Sequence, residues 1–130
     1  MTPLGHQLLL DLSGIEADRL DDISSLRQLL VAAARDGGAT VVEERFHRFA
    51  PHGVSGVVIL AESHLAVHTW PELGTAAIDI FTCGDASLTE RIGESVLAAL
   101  DPQAVRRQAV ERGAPASPRR AFSLEQEGAA

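Results

Sequence analysis

"VSGVVILAESHLAVHTWPELGTAAIDIFTC", residues 54–83, decides the fold. It holds three apolar, β-branched runs at 54–61, 64–69 and 75–83, separated by short joints. A parallel crossover needs a dozen or more residues, so these runs must pair as antiparallel neighbours. The second joint, "WPELG" (70–74), carries Pro and Gly and reads as a turn. The first joint is odder. Glu62 and Ser63 meet there in a turn of about two residues, with His64 and His68 just behind. Neither Glu62 nor Ser63 is a favoured element of so tight a turn, so the joint is expected to hold strain of the kind kept at functional sites.

Outward from this core the pattern continues. "HQLLLDL" (6–12) reads as a strand and "SGIEADRLDD" (13–22) as a polar loop. Ile23, Leu26, Leu29, Leu30 and Ala33 recur at helical spacing, with Asp21 or Asp22 able to cap the start and "DGG" (36–38) to stop it. "ATVVEERFHRF" (39–49) reads as a strand broken by "APHG" (50–53). "SLTE" (87–90) reads as a capping box, Ser87 with Glu90, opening a helix along Leu88, Ile92, Val96 and Leu100. "AVRRQAVER" (104–112) reads as a last strand, and 113–130, rich in small residues and Pro, as a loose tail. The order β-α-β-β-β-β-α-β predicts an α+β fold, an antiparallel sheet with two helices on one face. Residues 1–112 make one domain. The other sheet face needs a partner, and a homodimer is expected.

Composition excludes some functions. A chain of 130 residues carries one core, and 45% hydrophobic residues suit a globular fold. A net charge of -7 argues against nucleic-acid phosphates and against an anionic membrane surface. The single cysteine, Cys83, allows no internal disulfide, which favours a reducing, cytoplasmic setting. The first residues lack a basic n-region, and no apolar run reaches the roughly 20 residues of a membrane span.

Besides a bland polar hairpin tip, three chemistries compete for the joint. "GVSGV" (53–57) imitates a hydrolase elbow, but its second glycine falls one place early and no strand-turn-helix surrounds it. His64 and His68 share one strand face near His47, His52, Glu62 and Glu72, yet no spacing matches a known metal pattern, so no metal is expected. The third is self-processing. Ser63 Oγ can attack the Glu62 carbonyl to give an ester, and loss of the Ser63 Cα proton then leaves dehydroalanine. Tautomerisation and hydrolysis yield a pyruvoyl group at a new N-terminus. His68 has the chemistry of the base and Ser55 that of an oxyanion donor.

The stretch "FHRFAPHGVSGVVILAESHLAVHTWPELGTAAIDIFTCGD" (46–85) closely resembles the prokaryotic S-adenosylmethionine decarboxylases, the short pyruvoyl-dependent class. "GVSGVV", "ESHL", "HTWPE" and "FTCGD" in this order carry the resemblance. It implies cleavage between Glu62 and Ser63 into a 1–62 β chain and a 63–130 α chain, with Ser63 becoming the pyruvoyl cofactor that forms a Schiff base with substrate. It implies that Ser55 and His68 serve processing and that Cys83 is the proton donor. Phe49, Glu72 and Asp11 would hold substrate. It also implies an α/β sandwich working as a dimer of processed protomers, in polyamine synthesis.

The chain departs from the family in places. Gly5-His6-Gln7 stands where Gly-Arg-His is usual, Asp11-Leu12-Ser13 where Glu and aromatics are usual, and Leu73-Gly74-Thr75 where a tyrosine is usual. These departures fall where substrate would be held. L-Arginine or L-ornithine therefore stand as alternative cationic substrates, and a non-catalytic metabolite-binding module as a second alternative.

Overall fold

The protein is described by a computed structural model covering residues 3–113 and residue 118. Six strands form one sheet: β1 (Gly5–Ser13), β2 (Val41–Arg48), β3 (Val54–Leu60), β4 (Ser63–Trp70), β5 (Thr75–Cys83) and β6 (Ala104–Arg112). Their spatial order is β2-β3-β4-β5-β1-β6, and every neighbouring pair is antiparallel. The short joints make β2 to β5 a meander, as their lengths require. β1 then inserts between β5 and β6, so the chain's first and last strands pair.

The strand pleat sorts the residues. Leu8, Leu10 and Leu12 of β1, Leu65 and Val67 of β4, and Ile78 and Ile80 of β5 all face one side and are almost fully buried. Helices α2 (Ile23–Asp36) and α3 (Ala86–Leu100) cover that side with Leu26, Leu30, Ile92, Val96 and Leu100. Burying each such leucine or isoleucine contributes about 1.5–3 kcal/mol, which is why one helical layer suffices. Gly93 lets α3 approach β1, since a Cβ there would sit 2.5 Å from Leu8 Cδ2. Among the described residues, no helix or strand covers the opposite face of the sheet.

Two local expectations need correction. Residues 13–22 are not all loop: Ala17–Asp21 form a short helix, α1. Its Leu20 is fully buried, and the Leu20 carbonyl accepts from the buried Thr69 hydroxyl at 2.8 Å. Arg19 donates to the Ala99 and Leu100 carbonyls at 2.8 and 2.9 Å, closing the end of α3. Tertiary contacts thus stabilise a helix too short to stand alone. The second correction concerns the start of α3. Asp85, not Ser87, is the cap, its carboxylate accepting from Ser87 N–H at 2.9 Å. That bond holds the Asp85 carboxyl below the usual range. Glu90 turns instead to Arg107 of β6. At α2, Asp22 is the cap, accepting from Ser25 N–H at 3.1 Å.

Beyond Gly113, the segment expected to form a loose tail lies, apart from residue 118, outside the described residues. No helix among the described residues is long and apolar enough to cross a membrane.

Candidate active site

The site grows from the β3–β4 hairpin. Leu60 pairs with Ser63, so Ala61 and Glu62 alone make the turn. The turn closes only because Glu62 takes a left-handed conformation, φ 62°. A side chain in that region costs about 1–2 kcal/mol, and glycine would relieve it. The strain expected from the sequence therefore sits on the residue before Ser63.

Ser63 opens β4, half-buried, and its Oγ accepts from the Cys83 backbone N–H at 3.3 Å. The hydroxyl and the thiol-bearing residue thus share one end of the sheet. Cys83 closes β5 as an exposed free thiol, and Gly84, left-handed at φ 91°, leaves open space beyond it. Phe81, two residues earlier on the same face, packs on His64 with ring centroids 5.7 Å apart.

Ser55 and His68 form a second centre. They are directly opposed across β3 and β4, and Ser55 Oγ lies 2.8 Å from His68 Nδ1. This pair sits on the helix-free face with Arg45, His47 and Ala66 around a shallow hollow. It does not meet Ser63 within the chain. Ser63 lies five residues back along β4, on the other side of the pleat, and five residues of strand span roughly 17 Å.

His52 and Glu72 meet at a third place, where the β2–β3 connection reaches the 3-10 turn Pro71–Leu73, and Phe49 lies in the same connection. Phe49 is 46% exposed and makes an edge contact with His47, ring centroids 4.6 Å apart. His52 Nε2 lies 3.4 Å from Glu72 Oε1. Asp11 is exposed on the helix-free face of β1, 3.5 Å from Arg106 of β6.

Two features escape sequence reasoning. Asp21 clamps the 49–53 connection, accepting from Arg48 Nη2 at 2.6 Å and from Gly53 N–H at 2.8 Å. The Arg48 bond, then the Gly53 bond, hold its carboxyl below the ordinary 3.8. The second is a chain of groups on the bare face. Gln7 donates to Asp79 at 2.7 Å and accepts from Arg112 at 2.6 Å. The Arg112 guanidinium in turn lies 5.9 Å from the Phe81 ring centre. Both features join residues far apart in sequence, and only the strand order reveals them.

Known proteins share this fold. The family model described as S-adenosylmethionine decarboxylase matches residues 6–113. The chain is 42% identical over 110 residues to the S-adenosylmethionine decarboxylase proenzyme of Aquifex aeolicus, covering 85% of this chain and 82% of that one. The proenzyme of Persephonella marina is 43% identical over 110 residues, with coverage of 85% and 83%. The crystal structure of the Aquifex aeolicus adenosylmethionine decarboxylase matches with a TM-score of 0.83 at 37% identity, over 91% of this chain and 98% of that one. The family match over residues 6–113, the identity to these proenzymes and the shared fold show that the chain belongs to the S-adenosylmethionine decarboxylase family.

Proposed function

We propose that this chain is a self-processing, pyruvoyl-dependent decarboxylase of S-adenosylmethionine that serves polyamine synthesis. The observation that carries the reading is the left-handed Glu62 directly before Ser63 in a two-residue turn, with Cys83 at the same sheet end.

Processing starts when Ser63 Oγ attacks the Glu62 carbonyl carbon. The peptide C–N bond breaks, the serine nitrogen takes up a proton, and an ester replaces the amide. Cleavage releases Glu62 from its left-handed conformation, so the turn's strain favours the forward step. Removal of the Ser63 Cα proton then expels the Glu62 carboxylate and leaves dehydroalanine. Water replaces the nitrogen as ammonia, giving the 1–62 and 63–130 chains. Ser55 donates to the oxyanion and His68 moves the proton.

Ser63 suits the cofactor role because it starts a strand at an exposed hairpin rather than lying inside one. Once made, the pyruvoyl group supplies an electron sink for the pair released as CO2 leaves. Cys83 Sγ returns a proton to the substrate carbon. The Phe49 ring offers an exposed face for the adenine and sulfonium, a contact worth about 0.5–2 kcal/mol. Glu72 and Asp11 hold the rest of the substrate.

The separation of Ser63 from Ser55 and His68 within one chain supports a homodimer. A second copy laid against the bare sheet face brings its own Ser55–His68 pair toward this chain's Cys83 and the hairpin end at which Ser63 starts β4. Ile59 and Trp70, 41% and 40% exposed, give that face apolar area to bury. A single free thiol, which allows no internal disulfide, fits a reducing, cytoplasmic setting.

The test is CO2 release by the processed protein from S-adenosylmethionine, L-arginine and L-ornithine. Release from the first alone is the expected result. Release from an amino acid alone would transfer the chemistry to that substrate.

A further inference from the structure

We infer that His52 is a positioning residue for Glu72, holding the carboxylate in its substrate-binding rotamer through the polar contact of its Nε2. The inference rests on the reading above that Glu72 holds substrate. It starts from a contrast in order. Glu72 is exposed, 47% by its side chain, on the 3-10 turn at 71–73. A glutamate there samples several rotamers unless another group fixes it. The side chain that meets it is His52, 3.4 Å away.

His52 is itself held. It lies in the 49–53 connection, which closes through Phe49 N–H to Gly53 O at 2.7 Å. Gly53 N–H and Arg48 both bind Asp21, and Arg48 Nη2 also reaches the Pro51 carbonyl at 3.4 Å. The backbone that carries the imidazole is therefore pinned to α1. Glu72's turn is pinned too, since Gly74 N–H bonds Pro71 O at 3.1 Å and Ile15 N–H bonds Gly74 O at 3.1 Å. Two fixed backbones leave the His52–Glu72 contact as the variable that sets the carboxylate.

The ring's environment chooses the proton's place. His52 Nδ1 is enclosed and has no hydrogen-bond partner. A proton on Nδ1 would be a buried donor without an acceptor, which is the costlier arrangement. The neutral ring therefore carries its proton on Nε2, the nitrogen that stands 3.4 Å from Glu72 Oε1. Asp18 and Asp21 line the same hollow with His52 and Glu72. Without the imidazole donor, their charges would push the Glu72 carboxylate away from this place.

The test is steady-state decarboxylation of S-adenosylmethionine by processed protein, cleavage being confirmed by mass. A glutamine amide nitrogen reaches about where Nε2 stands, and an asparagine amide only where Nδ1 stands. His52→Asn and His52→Phe are expected to raise KM about tenfold and leave kcat within about twofold, the size of one lost polar contact to a charged group. His52→Gln is expected to restore KM. Glu72→Ala is expected to raise KM as well, and His52→Phe to add nothing on that background. Equal KM for His52→Gln and His52→Asn, or additive effects of His52→Phe and Glu72→Ala, would overturn the inference and leave Glu72's role standing. An unchanged KM in Glu72→Ala would instead overturn the substrate role, and the positioning role with it.

Discussion

Asp21 shows how one carboxylate can hold a whole connection, the one that carries Phe49 and His52. Its carboxyl is held below 3.8, first by the Arg48 bond and then by Gly53 N–H. A group with a lowered folded value stabilises the protein above its unfolded value and loses that contribution as pH falls through the lowered one. Asp21→Asn should therefore melt lower than the parent at neutral pH, with the gap narrowing as pH falls below 3.8. Thermal melts across that range check it. Cys83 makes a different residue-scale claim. Cys83→Ala should still cleave at 62–63, because the Ser63 hydroxyl bonds the Cys83 backbone and not its thiol. It should then lose most turnover, or inactivate within a few cycles, in a CO2-release time course. Full and lasting activity would remove the thiol from the reaction. Ser63, Ser55, His68 and Cys83 could be singled out because they stand within one short stretch of the sequence. The partners of Asp21, Gln7 and His52 were not, because their contacts join segments whose meeting depends on the strand order.

At the scale of elements, the β3–β4 hairpin carries the strain argument. Glu62→Gly removes the left-handed penalty, so on a Ser63→Ala background it should stabilise the uncut chain by about 1 kcal/mol. With Ser63 present, the same change should slow cleavage. Denaturant melts read the first effect and a gel time course the second. No stability gain would show that Glu62 holds no strain. Gly56 tests the packing next to the second centre. The Phe46 ring lies where a Gly56 Cβ would fall. Gly56→Ala should displace the ring, cost about 1–3 kcal/mol and disturb the neighbouring Ser55. The strands were legible because alternation and short joints are local properties. The capping box failed because Asp85 stands one residue before the start of α3 and offers the Ser87 N–H its own carboxylate. Helix α1 was missed because its stability comes from Leu20, Arg19 and Thr69, none of which shows as periodicity.

At the scale of the molecule, the bare sheet face and the split site argue for the same thing. One helical layer buries one face and leaves Ile59 and Trp70 half-exposed on the other. Ser63 and the Ser55–His68 pair lie too far apart along β4 to act together in one copy. Charge placed on the bare face, as in Ile59→Arg, should yield monomers in sedimentation and suppress cleavage together. Monomers that still cleave would confine processing to one chain. The sequence patterns already pointed to a sheet with one uncovered face. They could not show that Ser63 and His68 would be parted, since both lie on one strand and only the pleat and its length separate them.

Ser63 can become the cofactor only if the chain cuts itself, and the intact mass of the denatured protein reads that cut. The account predicts two chains split between Glu62 and Ser63, the second carrying a blocked pyruvoyl end, and a single full-length mass for Ser63→Ala. A single full-length mass for the unaltered protein under conditions where it is folded and dimeric would contradict it.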